Sequence, residues 1–126
     1  MVGAYAAVGF ASSSAPKALW STNPVTITFS DNAGISSSGS VGESVKCAPN
    51  VANVVFKTAV NNPVKISLTV SPGGEATCGP APDAVMVTAH CLVAAPNCKG
   101  SYTGTVTITK GYTTYPPSLA VTIVVT

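Results

Sequence analysis

Charge is scarce in these 126 residues: Asp, Glu, Lys and Arg together make up 8% of the chain, against about 25% in an ordinary globular domain. Arginine is absent. Six lysines, Lys17, Lys46, Lys57, Lys65, Lys99 and Lys110, face four acids, Asp31, Glu43, Glu75 and Asp83. The resulting net charge of +2 is spread along the sequence, so no basic stripe exists to neutralise a phosphate backbone or an anionic membrane, and nucleic acid is not an expected partner. Histidine occurs once, as His90. One imidazole and four scattered acids, three of them in stretches that read as loops, do not make a nucleophile beside a base or a pair of carboxylates, so the chain is not expected to be an enzyme. Long hydrophobic runs are missing too: no stretch reaches the roughly 18 apolar residues of a membrane-spanning helix. There is no N-x-S/T sequon, and no window has helical periodicity.

What remains is 46% hydrophobic residues set among threonine and serine, enough for one buried core in a chain of this length. Four cysteines, Cys47, Cys78, Cys91 and Cys98, form an even set in a short chain rich in Thr, Pro and Gly. That composition suits a disulfide framework in an oxidising compartment. Three pairings are open. The preferred one joins Cys91 to Cys98 around a turn at Pro96 and Cys47 to Cys78 across distant segments. A zinc site is not expected, because no CxxC spacing occurs and His90, next to Cys91, would point to the other face of a strand. The DNAG run from Asp31 lacks the spaced carboxylates of a calcium loop and reads as a turn. No cofactor is implied.

Apolar residues alternate with Thr, Ser and Lys through most of the chain, which is the period of a half-buried strand. Val25, Ile27 and Phe29 begin the pattern. Ser36 to Gly42 reads as a Ser/Gly loop, with Val45 and Cys47 opening a short strand. Val54 to Val60 follows, then a turn at Asn61, Asn62 and Pro63 and a strand at Val64, Ile66, Leu68 and Val70. Ser71 to Pro82 reads as a long irregular connection, and Ala84 to Val93 as a central strand buried on both faces. Tyr102, Gly104, Val106 and Ile108 should face inward between outward threonines, and Leu119, Val121, Ile123 and Val125 repeat this. The expected fold is all-β: an antiparallel sandwich, immunoglobulin-like or jelly-roll-like, of about seven or eight strands plus an N-terminal extension strand. Its core should include Val25, Ile27, Phe29, Phe56, Ile66, Leu68, Val87, Val106, Ile108, Val121 and Ile123.

The first ten residues, MVGAYAAVGF, carry no charge at all. As a strand they set Val2, Ala4, Ala6, Val8 and Phe10 on one face and Gly3, Tyr5, Ala7 and Gly9 on the other, so neither face suits water. Cover could come from the chain's own sheet or from a neighbouring subunit; the neighbour is the favoured reading. The run also has the look of the end of a secretory signal, but it lacks a basic n-region and is broken by glycine, so it reads as part of the mature chain. The expected organisation is a donor strand over residues 1–11, a Ser- and Pro-containing linker over 12–23, and the sandwich over 24–126.

The closing pattern SYTGTVTITKG followed by SLAVTIVVT resembles the last two strands of secreted immunoglobulin-like domains of prokaryotes. Taken with the uncharged leading strand and the Ser-rich linker, the layout is similar to extracellular filament subunits of archaea and bacteria, such as archaeal bundling pili, threads and TasA biofilm fibres. Chaperone–usher pilins fit less well, since Leu119 to Thr126 supplies the final strand that they lack. The resemblance implies a structural protein at the cell surface, a homopolymer in which Val2, Ala4, Tyr5, Ala6, Val8 and Phe10 complete the sheet of the next copy, with a role in adhesion or biofilm. The alternatives are a carbohydrate-binding or adhesin module, for which Trp20, Tyr102, Tyr112 and Tyr115 are candidate stacking residues, and a viral coat or surface-layer subunit.

Overall fold

Strict alternation in sequence becomes two packed sheets in the computed structural model, which describes residues 17–48, 52–73, 75–110 and 118–126. The described strands are β1 (Lys17–Trp20), β2 (Val25–Phe29), β3 (Ser38–Ala48), β4 (Ala52–Val60), β5 (Ile66–Ser71), β6 (Glu75–Cys78), β7 (Asp83–Cys91), β8 (Gly100–Lys110) and β9 (Ser118–Val125). One sheet has the order β1-β3-β7-β5 and the other β2-β9-β8-β4-β6. All neighbours run antiparallel except β2 and β9, which pair in parallel from Val25 beside Val121 to Phe29 beside Val125. The core lies between the sheets. Ile27, Ile66, Ile108, Leu119 and Ile123 are essentially fully buried there, while Thr26, Thr103, Thr105 and Thr109 lie on the exposed outer face. Of the core residues expected from the pattern, only Phe29 is partly exposed.

Splitting the leading strand between the two sheets, with β1 beside β3 and β2 beside β9, gives the arrangement of an immunoglobulin-like sandwich. A second hallmark is Tyr102, buried at the start of β8, whose hydroxyl donates to the carbonyl of Cys98 at 2.6 Å. This is the tyrosine corner that pins the penultimate strand to the turn before it.

Several expectations need correction. Lys17–Trp20, placed in the 12–23 linker, is a strand of the sandwich, because Ala18 is buried and Trp20 packs on Phe56 with ring centroids 5.9 Å apart. The Ser/Gly run expected as a loop forms the first half of β3. Its glycine is required there: a Cβ on Gly39 would sit 2.8 Å from Phe29 Cδ1 and 3.0 Å from Ile27 Cγ2, so only hydrogen lets β2 cross β3 this closely. The connection 71–82 contains β6, held to β4 by register and to β3 through Cys78. β7 is central but covered on one face only, with Val85, Val87, Ala89 and Cys91 inward and Met86 46% exposed. Val64 belongs to the turn before β5. The described residues form nine strands, where about seven or eight and an extension strand were expected. The proposed donor residues Val2, Ala4, Tyr5, Ala6, Val8 and Phe10, and the connection 111–117, lie outside the described residues.

Gly104 is a second close approach, where an added Cβ would lie 2.8 Å from Leu68 Cδ2 on the facing sheet and 2.9 Å from the Ala59 carbonyl oxygen on the neighbouring β4. Gly104→Ala should therefore destabilise the domain by about 1–3 kcal/mol. Gly42, whose Cβ would meet nothing within 4 Å, should tolerate alanine. Denaturant unfolding of the two variants should separate them, and equal midpoints would contradict this packing.

Candidate functional site

One buried polar side chain, Glu43, lies where the leading strand leaves one sheet for the other. Ser21 to Pro24 make that crossing. Ser21 N–H still bonds the Ser44 carbonyl at 2.9 Å, as β1 would if it continued. Beyond that point side chains replace the missing strand. Glu43, 7% exposed on the inner face of β3, accepts at Oε1 from the Ser21 hydroxyl and from the amides of Thr22 and Ser44, each at 3.1 Å. On the other sheet Asn23 Nδ2 donates to the Ser118 carbonyl and its Oδ1 accepts from Ala120 N–H, both at 3.0 Å. An asparagine amide sets an N–H donor beside a C=O acceptor as a peptide group does, so Asn23 pairs with the start of β9 as a strand residue would.

The acids do not assemble a reaction centre among the described residues. Glu43, expected in a loop, lies inside β3; Glu75 and Asp83 open β6 and β7; Asp31 alone lies outside the strands. Asp31 is 1% exposed beside the end of β9, its amide bonding the Thr126 carbonyl at 3.1 Å, and it belongs to a turn in which Gly34 N–H bonds its carbonyl at 2.8 Å. Asp31 Oδ2, Glu43 Oε2 and Trp20 Nε1 are buried with no hydrogen-bond partner among the described residues. His90 sits half-exposed on the outer face of β7, with Cys91 buried on the inner face. No group of three His, Cys, Asp or Glu side chains gathers to hold a metal among the described residues.

Both bridges of the preferred pairing are formed. Cys47–Cys78 joins β3 to β6 across the two sheets with Cα atoms 5.4 Å apart, and Cys91–Cys98 closes the turn between β7 and β8 at 6.0 Å. Two disulfides fit an oxidising compartment outside the cytoplasm. No described helix is long and apolar enough to cross a membrane.

Of the four candidate sugar-stacking aromatics, Trp20 is partly buried with its ring tilted against Phe56, and Tyr102 is buried in its corner. Tyr112 and Tyr115 lie outside the described residues. An open groove of about 560 Å³ lies against the four-stranded sheet, lined among others by Ser21, Gly42, Glu43, Ser44, Ala84 and Met86. It has small side chains and few convergent polar groups, unlike a small-molecule pocket. The features that sequence reasoning missed are Glu43 and Asn23. Their only sequence signal is the STNP run ahead of a strand, since apart from Ser44 the partner residues are 21 to 97 positions away.

Neither any known protein family nor any curated protein matches this chain.

Two measurements check this site. Replacing Cys47 and Cys78 together by serine should cost roughly 3–4 kcal/mol from loop entropy, and the same change at Cys91 and Cys98 roughly 2–3 kcal/mol, since the sequence separations are 31 and 7. Denaturant midpoints in the reverse order would contradict that ranking. Glu43→Ala leaves the Ser21 hydroxyl and the Thr22 amide without their acceptor, while the Ser44 amide keeps Ser21 Oγ at 3.2 Å, and should destabilise by about 1–3 kcal/mol. The emission of Trp20, the single tryptophan, should shift to the red as β1 loosens.

Proposed function

We propose that this protein is the structural subunit of an extracellular filament, polymerising when residues 2–10 of one copy add as a strand to the sandwich of the next. The observation that carries the reading is the segment Val2 to Phe10 itself: nine residues with strand alternation, no charge and no polar face, joined through a short Ser-rich stretch to a domain that already has its final strand in β9. A strand of this kind alone in water is an aggregation hazard. Added to another sheet, it pairs its main chain and buries its side chains in one step.

The rest of the molecule supports a building block rather than a catalyst. Its outer sheet faces carry threonine and serine in place of charge, its two bridges tie β3 to β6 and close the turn after β7, and its buried Glu43 is placed to hold the main chain. Because donor and acceptor are different surfaces, each contact leaves one of each free, and the assembly propagates as an open polymer unless it closes into a ring. Extracellular placement follows from the same argument, since filaments of this kind work at the cell surface and disulfides persist there.

Deleting residues 1–11 should leave a folded, monomeric domain that forms no filaments, and Val8→Asp should weaken assembly while leaving the thermal unfolding of the domain unchanged. Electron microscopy and light scattering read the outcome. Filaments of the same kind from the truncated chain would refute the donor-strand reading.

A further inference from the structure

We infer that the acceptor for residues 2–10 of a second copy is the free edge of β5; the inference rests on the assembly reading above and names the surface it leaves open. The sheet edges differ in the main-chain groups they offer. Leu92 N–H donates to the Lys65 carbonyl at 2.9 Å, and the antiparallel register sets Ile66 opposite Cys91. In an antiparallel ladder, alternate residues point their N–H and C=O to opposite sides. Lys65, Ser67, Thr69 and Ser71 therefore bond toward β7, and Ile66, Leu68 and Val70 point outward. The Ile66 amide is taken by the Asn62 carbonyl, which, among the described residues, leaves the amides of Leu68 and Val70 and three carbonyls along the edge.

The competing edges are poorer. β1 and β6 have four residues each, and β6 is tied through Cys78 to β3. β2 offers Thr26 and Thr28, because Phe29 is turned to β9, where its carbonyl accepts from Thr126 N–H. The lower half of β3, beyond the reach of β1, offers Ser38, Ser40 and Gly42, a stretch with little strand propensity whose one apolar side chain, Val41, is already packed against the core. β5 reads Ile-Ser-Leu-Thr-Val-Ser, with neither a charge nor a proline inside it, the devices by which proteins protect exposed edges. It is also flanked by exposed apolar surface. Val64 in the turn before it is 75% exposed and Leu92, joined to that turn through Lys65, is 44% exposed.

The occupant fits both faces of this edge. Ile66, Leu68 and Val70 face the core and Ser67, Thr69 and Ser71 face out. A strand added alongside would continue the first row with Val2, Ala4, Ala6, Val8 and Phe10, and the second with the small set Gly3, Ala7 and Gly9 around Tyr5. Polarity of the chain favours a second copy over the chain's own segment. Lys17 pairs with Ala48 at the end of the sheet where β5 finishes, the end opposite Val64 and Leu92. Six residues, 11–16, span at most about 20 Å, so within one chain Phe10 must stay near that end and the segment would run parallel to β5. A donor from another copy is free to run antiparallel, the more stable pairing per residue.

Residue-resolved amide hydrogen exchange on the full chain, as monomer and as assembled polymer, tests this. Assembly should slow exchange at Leu68 and Val70 by roughly 100-fold or more, while Thr26, Thr28, Ser40 and Gly42 stay fast. Val64→Asp combined with Leu92→Asp, both at exposed positions, should raise the concentration needed for assembly without changing the fold. Protection that appears on β2 or β3 instead, or on no edge, would overturn the β5 assignment and leave filament assembly standing. Protection of Leu68 and Val70 already in the monomer would place the segment on its own chain and overturn the assignment. A full chain that forms no polymer at any concentration would overturn both this inference and the function it rests on.

Discussion

A main-chain amide at the rim of a sheet has one neighbour fewer than an amide inside it, and an open sandwich has four such rims. Much of the detailed chemistry of this protein answers that deficit. Where the first strand abandons β3, the Ser21 hydroxyl and the Glu43 carboxylate take up the groups it leaves, and where it has yet to reach β9, Asn23 stands in with its amide. Burying a carboxylate is costly unless it is bonded. Glu43 is placed where three donors converge on one oxygen, so its burial is coupled to the geometry of the crossing. The Cys47–Cys78 bridge does comparable work at the far rim, holding the four-residue β6 that could not persist on its own hydrogen bonds. β5 is the rim that receives no such treatment.

With so little charge, the surface must stay wet by other means. Threonine does this on the five-stranded sheet: Thr26, Thr122 and Thr103 stand side by side across β2, β9 and β8, each combining a β-branched carbon with a hydroxyl. The branch favours the extended backbone and the hydroxyl meets water, so one residue type serves both propensity and solubility. Such a face presents hydroxyls and methyls in place of a pattern of charges that could steer or repel other molecules over long range.

Much of the fold was legible in the sequence because its inward residues are large and regularly spaced. β8 and β9 alternate without a break, and β2, β4 and β5 do so nearly as well. The misreadings share one physical origin, tertiary pairing that overrides local composition. Ser-Gly-Ser-Val-Gly looks like a loop because glycine weakens an isolated strand, yet Gly39 is there so that Phe29 and Ile27 can lie across it. β6 is hidden between prolines and glycines, and β1 looks like linker because its four residues are too few to show a period. The disulfide partners could be preferred from loop lengths and turn residues. The roles of Glu43 and Asn23 could not, because a buried acid and an exposed one are the same letter, and their partners are distant in sequence.

The parallel pairing of β2 with β9 has a mechanical consequence. The chain enters β2 at one end of the sandwich and leaves β9 at the other, so tension applied through the two chain ends pulls these strands along their own axes in opposite directions. The load then falls in shear on the ladder from Val25–Val121 to Phe29–Val125, whose rungs must fail together, whereas perpendicular loading would peel them one at a time. Should that ladder yield, the bridges still shield the 31-residue interval from Cys47 to Cys78 and the 7-residue interval from Cys91 to Cys98 from extension. The thread that could be drawn out of a broken domain is shortened accordingly.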